Sequence, residues 1–173
     1  RMSASSEKNG GGSPPVVTFG SEELKRRVLP AVLAGERIAA LAITEPSGGS
    51  DVANIQTTAR RDGDHYIVSG SKTFISGGMG ANWFTTAVRT GGEGSRGISV
   101  LLIPADSAGV ARTPLARKQG WWCSDTATIH FDEVRVPAAN LVGPENMRVP
   151  GRMANLNNER MALAVGLDAL ARA

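Results

Sequence analysis

Between residues 38 and 136 one pattern recurs. A short apolar or alternating run is followed by Gly, Pro, Asp or Ser, and then by another run. No helical period intervenes. Residues 38–44, 55–61, 65–76, 83–90, 98–103 and 126–136 all have the length and composition of strands. In 55–61, Ile55, Thr57 and Ala59 alternate with Gln56, Thr58 and Arg60. Ser69-Gly70-Ser71 interrupts the long run 65–76. Asp62-Gly63-Asp64 is a hairpin signal, Gly91-Gly92-Glu93-Gly94 a loop, and Pro104 and Pro137 stop strands. Strands this closely spaced bury a face only by folding back on one another. The predicted fold class is therefore mainly β, an antiparallel β-sandwich or barrel flanked by α-helical segments.

The helical signals lie outside that stretch. Residues 1–18 are Ser, Gly, Asn and Pro with little apolar content, which predicts a flexible lead-in. Ser21 reads as an N-cap, with Glu22 and Glu23 in the first turn. Leu24, Val28, Ala31 and Val32 keep helical spacing, Pro30 should kink or end the helix, and Gly35 closes it. Near the other end Met153, Leu156, Met161, Leu163, Val165, Leu167 and Leu170 lie in an Ala- and Arg-rich helical run, with Asn155, Asn157 and Asn158 as caps. The apolar character continues to Ala173, where no Gly or Pro stop signal stands, so more protein is expected beyond it. No internal repeat is present.

Composition narrows the function classes. The 173 residues carry a net charge of +3 from scattered Lys and Arg, with 5% aromatics, which argues against nucleic-acid binding. The single cysteine, Cys123, excludes an internal disulfide framework and fits a reducing compartment, so a cytoplasmic location is expected. Flanked by Trp122 and Ser124, with no base or cation beside it, it reads as structural. His65, His130 and Cys123 make no metal-ligand set. No apolar run approaches the roughly 20 residues of a membrane span, and no secretory leader pattern opens the chain.

The stretch Leu41-Ala42-Ile43-Thr44-Glu45-Pro46-Ser47-Gly48-Gly49-Ser50-Asp51 is the chemically pointed one. A buried strand ends in hydroxyls, a carboxylate, a proline and paired glycines, a rigid turn that leaves backbone exposed. Such a turn is either an ordinary strand end or one wall of a ligand site. By themselves, Thr44 and Ser50 fit turn caps, Phe74 fits core, and Ser76 before Gly77-Gly78 fits a turn. Glu45 and Asp51 fit turn and capping roles better than catalysis. Trp121-Trp122 fits packing or a domain contact.

Taken in order, that turn, then Gly70-Ser71-Lys72-Thr73-Phe74-Ile75-Ser76-Gly77, then Asn157-Asn158-Glu159-Arg160 closely resemble the acyl-CoA dehydrogenase family. Further matches are Phe19-Gly20-Ser21-Glu22-Glu23-Leu24-Lys25, Asp62-Gly63-Asp64-His65-Tyr66, Gly120-Trp121, Ser124-Asp125-Thr126, Phe131-Asp132-Glu133-Val134-Arg135-Val136-Pro137 and Gly143-Pro144-Glu145-Asn146. The resemblance implies a three-domain flavoenzyme enclosing FAD and a CoA thioester. Residues 1–36 would be the lead-in and the end of an N-terminal helical domain. Residues 37–148 would be the middle β-domain, and 149–173 the truncated first helix of a C-terminal helical domain.

In this family a base removes the α-proton of an acyl thioester while a hydride leaves the β-carbon for flavin N5. The resemblance implies flavin contacts at Leu41, Ile43, Thr44, Gly49, Ser50, Phe74, Ile75 and Ser76. Phe74 would cover the ring, and the Ser76 hydroxyl would bond near N5. Ser50, Asn157 and Arg160 are implied on the substrate side, with Arg160 at the CoA portion. Glu159 stands at a position that supplies the base in some members; in others the base lies later than this chain reaches. The implied partners are an acyl-CoA, other copies of the chain in a dimer or tetramer, and an electron-transfer flavoprotein or other acceptor. A flavin-dependent oxidase or monooxygenase on the same scaffold, and a β-module without a site, are the alternatives. The chain departs from the pattern at Met147-Arg148-Val149-Pro150-Gly151-Arg152, and at Gly77-Gly78, where Asn-Gly is commoner.

Overall fold

The computed structural model describes residues 11–146. Helices α1 (Ser13–Phe19) and α2 (Glu22–Leu33) come first. The strands follow: β1 (Ala39–Ala42), β2 (Thr58–Asp62), β3 (His65–Ser76), β4 (Trp83–Arg89), β5 (Ile98–Pro104), β6 (Val110–Pro114) and β7 (Thr126–Pro137). They form one seven-stranded sheet in the order β1-β4-β2-β3-β7-β6, with β5 paired to β4.

β4 is the hinge of this topology. β5 runs antiparallel along its whole length. On its other edge β1 pairs in parallel with residues 83–86, and β2 touches it in parallel only at Thr58–Arg89. The antiparallel group β2-β3-β7-β6 departs from that point. The sheet curls, so that Phe84 of β4 meets Phe131 of β7 edge to face with ring centroids 6.4 Å apart. The enclosed core holds Ala40, Ala42, Tyr66, Val68, Phe84, Leu101, Ile103, Ile129, Val134 and Val136. The mainly β fold and the hairpin at Gly63-Asp64, where Gly63 takes φ 60°, follow the sequence pattern. The parallel β1–β4 pair is an addition to the expected antiparallel arrangement.

A second core lies on the opposite face of β4 and β5. There Val16, Leu24, Val28 and Val32 of the helices pack on Ala87, Ile98, Val100 and Leu102. With both faces covered, β5 is buried from Ile98 to Ile103. This explains why that run is apolar but for Ser99 rather than alternating. Among the described residues no helix is long and apolar enough to cross a membrane.

Several expectations are corrected. The lead-in expected to be flexible through residue 18 instead contains α1, because the Pro pair suits a helix start and Val16 is fully buried against the sheet. The Gly12 amide donates to the Ala39 carbonyl at 3.1 Å and fastens α1 to β1. Pro30 does not end α2, which continues to Leu33. Ser21 caps it through Leu24 N–H at 3.1 Å. Gly35, at φ 74°, closes it in a Schellman arrangement: its N–H donates to Val32, and Glu36 N–H to Ala31. β6 has no counterpart in the strand pattern, because it is a short edge segment with no buried residue to mark it. The expected final helix, with Asn157, Glu159 and Arg160, lies outside the described residues.

Candidate functional site

Where β1 ends, three consecutive residues are fastened to β3. The Ile43 carbonyl accepts from Lys72 Nζ at 3.1 Å, and the Thr44 carbonyl accepts from Thr73 N–H at 2.8 Å. Glu45 Oε1 accepts from Lys72 Nζ at 2.8 Å. Backbone bonds between Glu45 and Gly48, at 3.1 and 3.0 Å, close the turn with Pro46 and Ser47 at its tip. The Glu45 carboxylate also takes Thr57 N–H at 2.9 Å and Gln56 N–H at 2.7 Å. Glu45 thus ties its turn to the start of β2 and to β3 at once.

Glu45 is 4% exposed and Lys72 not at all. Burial pulls the Lys72 ammonium down to about 8, against the opposing pull of Glu45. Burial also pushes the Glu45 carboxyl up, but the bonds from Lys72, Thr57 and Gln56 outweigh it and hold the group below its usual value. Both charges are fully bonded: no buried side-chain nitrogen or oxygen among the described residues lacks a partner.

Opposite the turn, β3 bulges. Lys72 pairs with Ile129 and Ile75 with Ala127, so Thr73 and Phe74 together face Thr128. Phe74 takes φ 58°, a left-handed conformation that an aromatic residue seldom adopts. The bulge turns its ring outward, 61% exposed. Ser76 then pairs with Thr126, and the Gly77 amide donates to the Asp125 carbonyl at 2.9 Å. The loop before β7 is gathered by Lys118, whose ammonium donates to the carbonyls of Trp121 and Ser124 and to the Thr126 hydroxyl. It leaves Trp121 and Trp122 exposed.

The expected residues divide accordingly. Thr44 and Gly49 lie against each other, and the Thr44–Thr73 bond brings them to the residue before Phe74, with Ser76 two residues further along β3. Gly49 lies against Thr44 so closely that a Cβ there would stand 3.1 Å from Thr44 Cγ2. Leu41 is half-buried within β1. Ile43 packs on the helix-side core and the Ile75 side chain is buried in the enclosed core, while the Ile43 carbonyl is taken by Lys72 and the Ile75 carbonyl by the Gly78 amide. Phe74 is not core, and Cys123 is exposed rather than packed. Asn157, Glu159 and Arg160 lie outside the described residues. Sequence reasoning missed Lys72. The signal was there: it shares the inward phase of Tyr66 and Val68, two residues to a step, where a lysine needs a buried acid.

The donor set suits a flat heteroaromatic ring with polar atoms along one edge. The hydroxyls of Thr44, Ser50 and Ser76 make no hydrogen bond to any described residue. The Lys72 ammonium is spent on Glu45 and Ile43. Neutral hydroxyls follow β1 at Thr44 and Ser50 and end β3 at Ser76, two residues past the exposed ring of Phe74.

Residues 40–134 match the family profile described as acyl-CoA dehydrogenase, middle domain. The chain is 42% identical over 163 residues to the acyl-CoA dehydrogenase apdG of Emericella nidulans, covering 93% of this chain and 37% of that protein. An acyl-CoA dehydrogenase structure from Geobacillus kaustophilus superposes with a TM-score of 0.84 at 42% identity, covering 88% of this chain and 41% of that one. A glutaryl-CoA dehydrogenase from Mycobacterium smegmatis, in complex with FADH2, matches with a TM-score of 0.73 at 34% identity, covering 79% and 34%. The chain therefore spans about two fifths of the length of its relatives. By its profile, its relatives and its curled sheet, it belongs to the acyl-CoA dehydrogenase family.

Proposed function

We propose that this chain supplies the flavin-facing β-domain of an FAD-dependent acyl-CoA dehydrogenase that introduces an α,β double bond into acyl-CoA thioesters. One observation carries the proposal. The Thr44–Thr73 backbone bond brings Thr44, whose hydroxyl bonds to no described residue, to the strand residue just before the exposed Phe74. FAD, when bound, supplies the acceptor for the hydride that leaves the thioester β-carbon. Thr44, Ser50 and Ser76 donate hydrogen bonds along the polar ring edge, with the backbone of Leu41, Ile43, Gly49 and Ile75 beside them. Phe74 covers the ring and keeps water from it. Preorganised neutral donors favour developing negative charge without reorganising. Ser50, Asn157 and Arg160 hold the thioester, and Glu159 takes the α-proton.

The same reading assigns residues 37–148 as the middle domain and 149–173 as the opening of a C-terminal helical domain. It takes an electron-transfer flavoprotein or other acceptor as the electron partner, and other copies of the chain in a dimer or tetramer. The single cysteine supports a reducing, cytoplasmic setting.

An absorption spectrum tests this. The full-length protein shows visible flavin bands after reconstitution with FAD, and acyl-CoA bleaches them without oxygen. Glu159→Gln then abolishes bleaching while flavin binding persists. No flavin uptake would end the proposal, bleaching that requires oxygen would favour an oxidase, and undiminished bleaching in Glu159→Gln would remove Glu159 as the base.

A further inference from the structure

We infer that the buried Glu45–Lys72 pair is a positioning device that holds the Ile43-Thr44 wall at a fixed distance from the Phe74–Ser76 wall, and so sets the width of the flavin-edge site. The inference rests on the flavin reading above and adds two residues that touch no ligand. Lys72 stands immediately before the bulge that turns Phe74 outward. Its ammonium reaches across to the Ile43 carbonyl at 3.1 Å and the Glu45 carboxylate at 2.8 Å. Its neighbour Thr73 donates to Thr44 at 2.8 Å. Three consecutive turn residues are therefore tied to two consecutive strand residues.

β1 and β3 are not neighbours in the sheet. No regular ladder fixes their separation, and these bonds do it instead. The two backbone bonds to the Glu45 carboxylate, from Gln56 and Thr57, stop the turn from pivoting about Lys72. A buried ion pair is a costly way to fill a core, because desolvation offsets much of the attraction. What it offers is direction: charge-assisted bonds fix geometry that interchangeable apolar contacts leave loose.

The test uses full-length protein carrying Glu45→Gln with Lys72→Met, which removes both charges at nearly constant volume. The core variant Val134→Ala, remote from the turn, serves as a stability control. Three readouts are compared: the FAD dissociation constant, the visible flavin spectrum and hydrogen exchange of residues 41–50. For the double variant the expected result is at least tenfold weaker FAD binding, a shifted flavin spectrum and at least tenfold faster exchange in 41–50. Val134→Ala is expected to lose thermal stability but keep the spectrum and affinity. A double variant with wild-type affinity, spectrum and exchange overturns the inference and leaves the flavin reading intact. Val134→Ala losing affinity to the same degree at equal thermal stability also overturns it, since the effect would then be general softening. Wild-type protein that takes up no FAD overturns the inference and the reading together.

Discussion

Phe74 carries a conformational cost that its side chain does not recover by burial. Its backbone is left-handed at φ 58°, and its ring is 61% exposed. Strain of this kind persists where surrounding structure imposes it, and it concentrates at functional sites. Phe74→Gly is therefore expected to hold or raise folding stability by about 1 kcal/mol, while FAD binding weakens. Urea unfolding and flavin titration separate the two effects; a destabilised variant would show that the ring packs in the fold. Lys72 is the opposite case. Lys72→Met strands the Glu45 charge in the interior and is expected to cost about 3–5 kcal/mol, of which Glu45→Gln in the same chain restores a large part. The pH dependence follows from the directions of the two groups. Burial lowers Lys72 from 10.5 to about 8, so between those values the unfolded chain binds more protons and stability rises with pH. Glu45 is held below its ordinary 4.5, so its contribution is complete above that value and disappears as pH falls through its folded value. Denaturant unfolding across the pH scale should show both slopes in the wild type and neither in the double variant. A slope surviving there would belong to another group.

At the level of elements, the sequence was legible wherever local chemistry is decisive. α2 starts at its cap and stops at its glycine because capping bonds are made within a few residues of chain. Ser21→Ala is expected to cost about 1 kcal/mol in a thermal melt by freeing the Leu24 amide; an unchanged midpoint would mean that packing alone sets the helix start. β3 was bounded correctly because twelve residues of strand pattern sit between a hairpin glycine and paired glycines. What escaped was what depends on a partner. β6 is a strand only because residues 127–131 of β7 lie beside it. The bulge at Thr73-Phe74 arises from the register against Thr128 and Ala127, which no local signal encodes. Pro30 is accommodated because Leu24, Val28 and Val32, on either side of it, all anchor α2 to the sheet.

At the scale of the whole molecule, β4 and β5 belong to both cores, with Phe84, Leu101 and Ile103 facing one and Ala87, Ile98 and Leu102 the other. Helices and curled sheet should therefore unfold together. Val28→Ala, on α2, is expected to lower the sheet transition by about 1–3 kcal/mol, with far-ultraviolet circular dichroism and tryptophan fluorescence giving coincident curves. Separate transitions would mean that the helices are only docked. The sequence by itself determined the class of fold, the caps, the hairpin and the residue types of the turn, because each depends on side-chain periodicity or on bonds between near neighbours. The motif resemblance named the family from those same residues. Only the tertiary structure decided that the Thr44 turn meets β3 at Thr73, just before the outward-turned Phe74, and that Lys72, 27 positions along from Glu45, closes on it. Those placements come from sheet curvature and register, where the energy lies in contacts between segments far apart in the chain and each partner's sequence carries only half of the information.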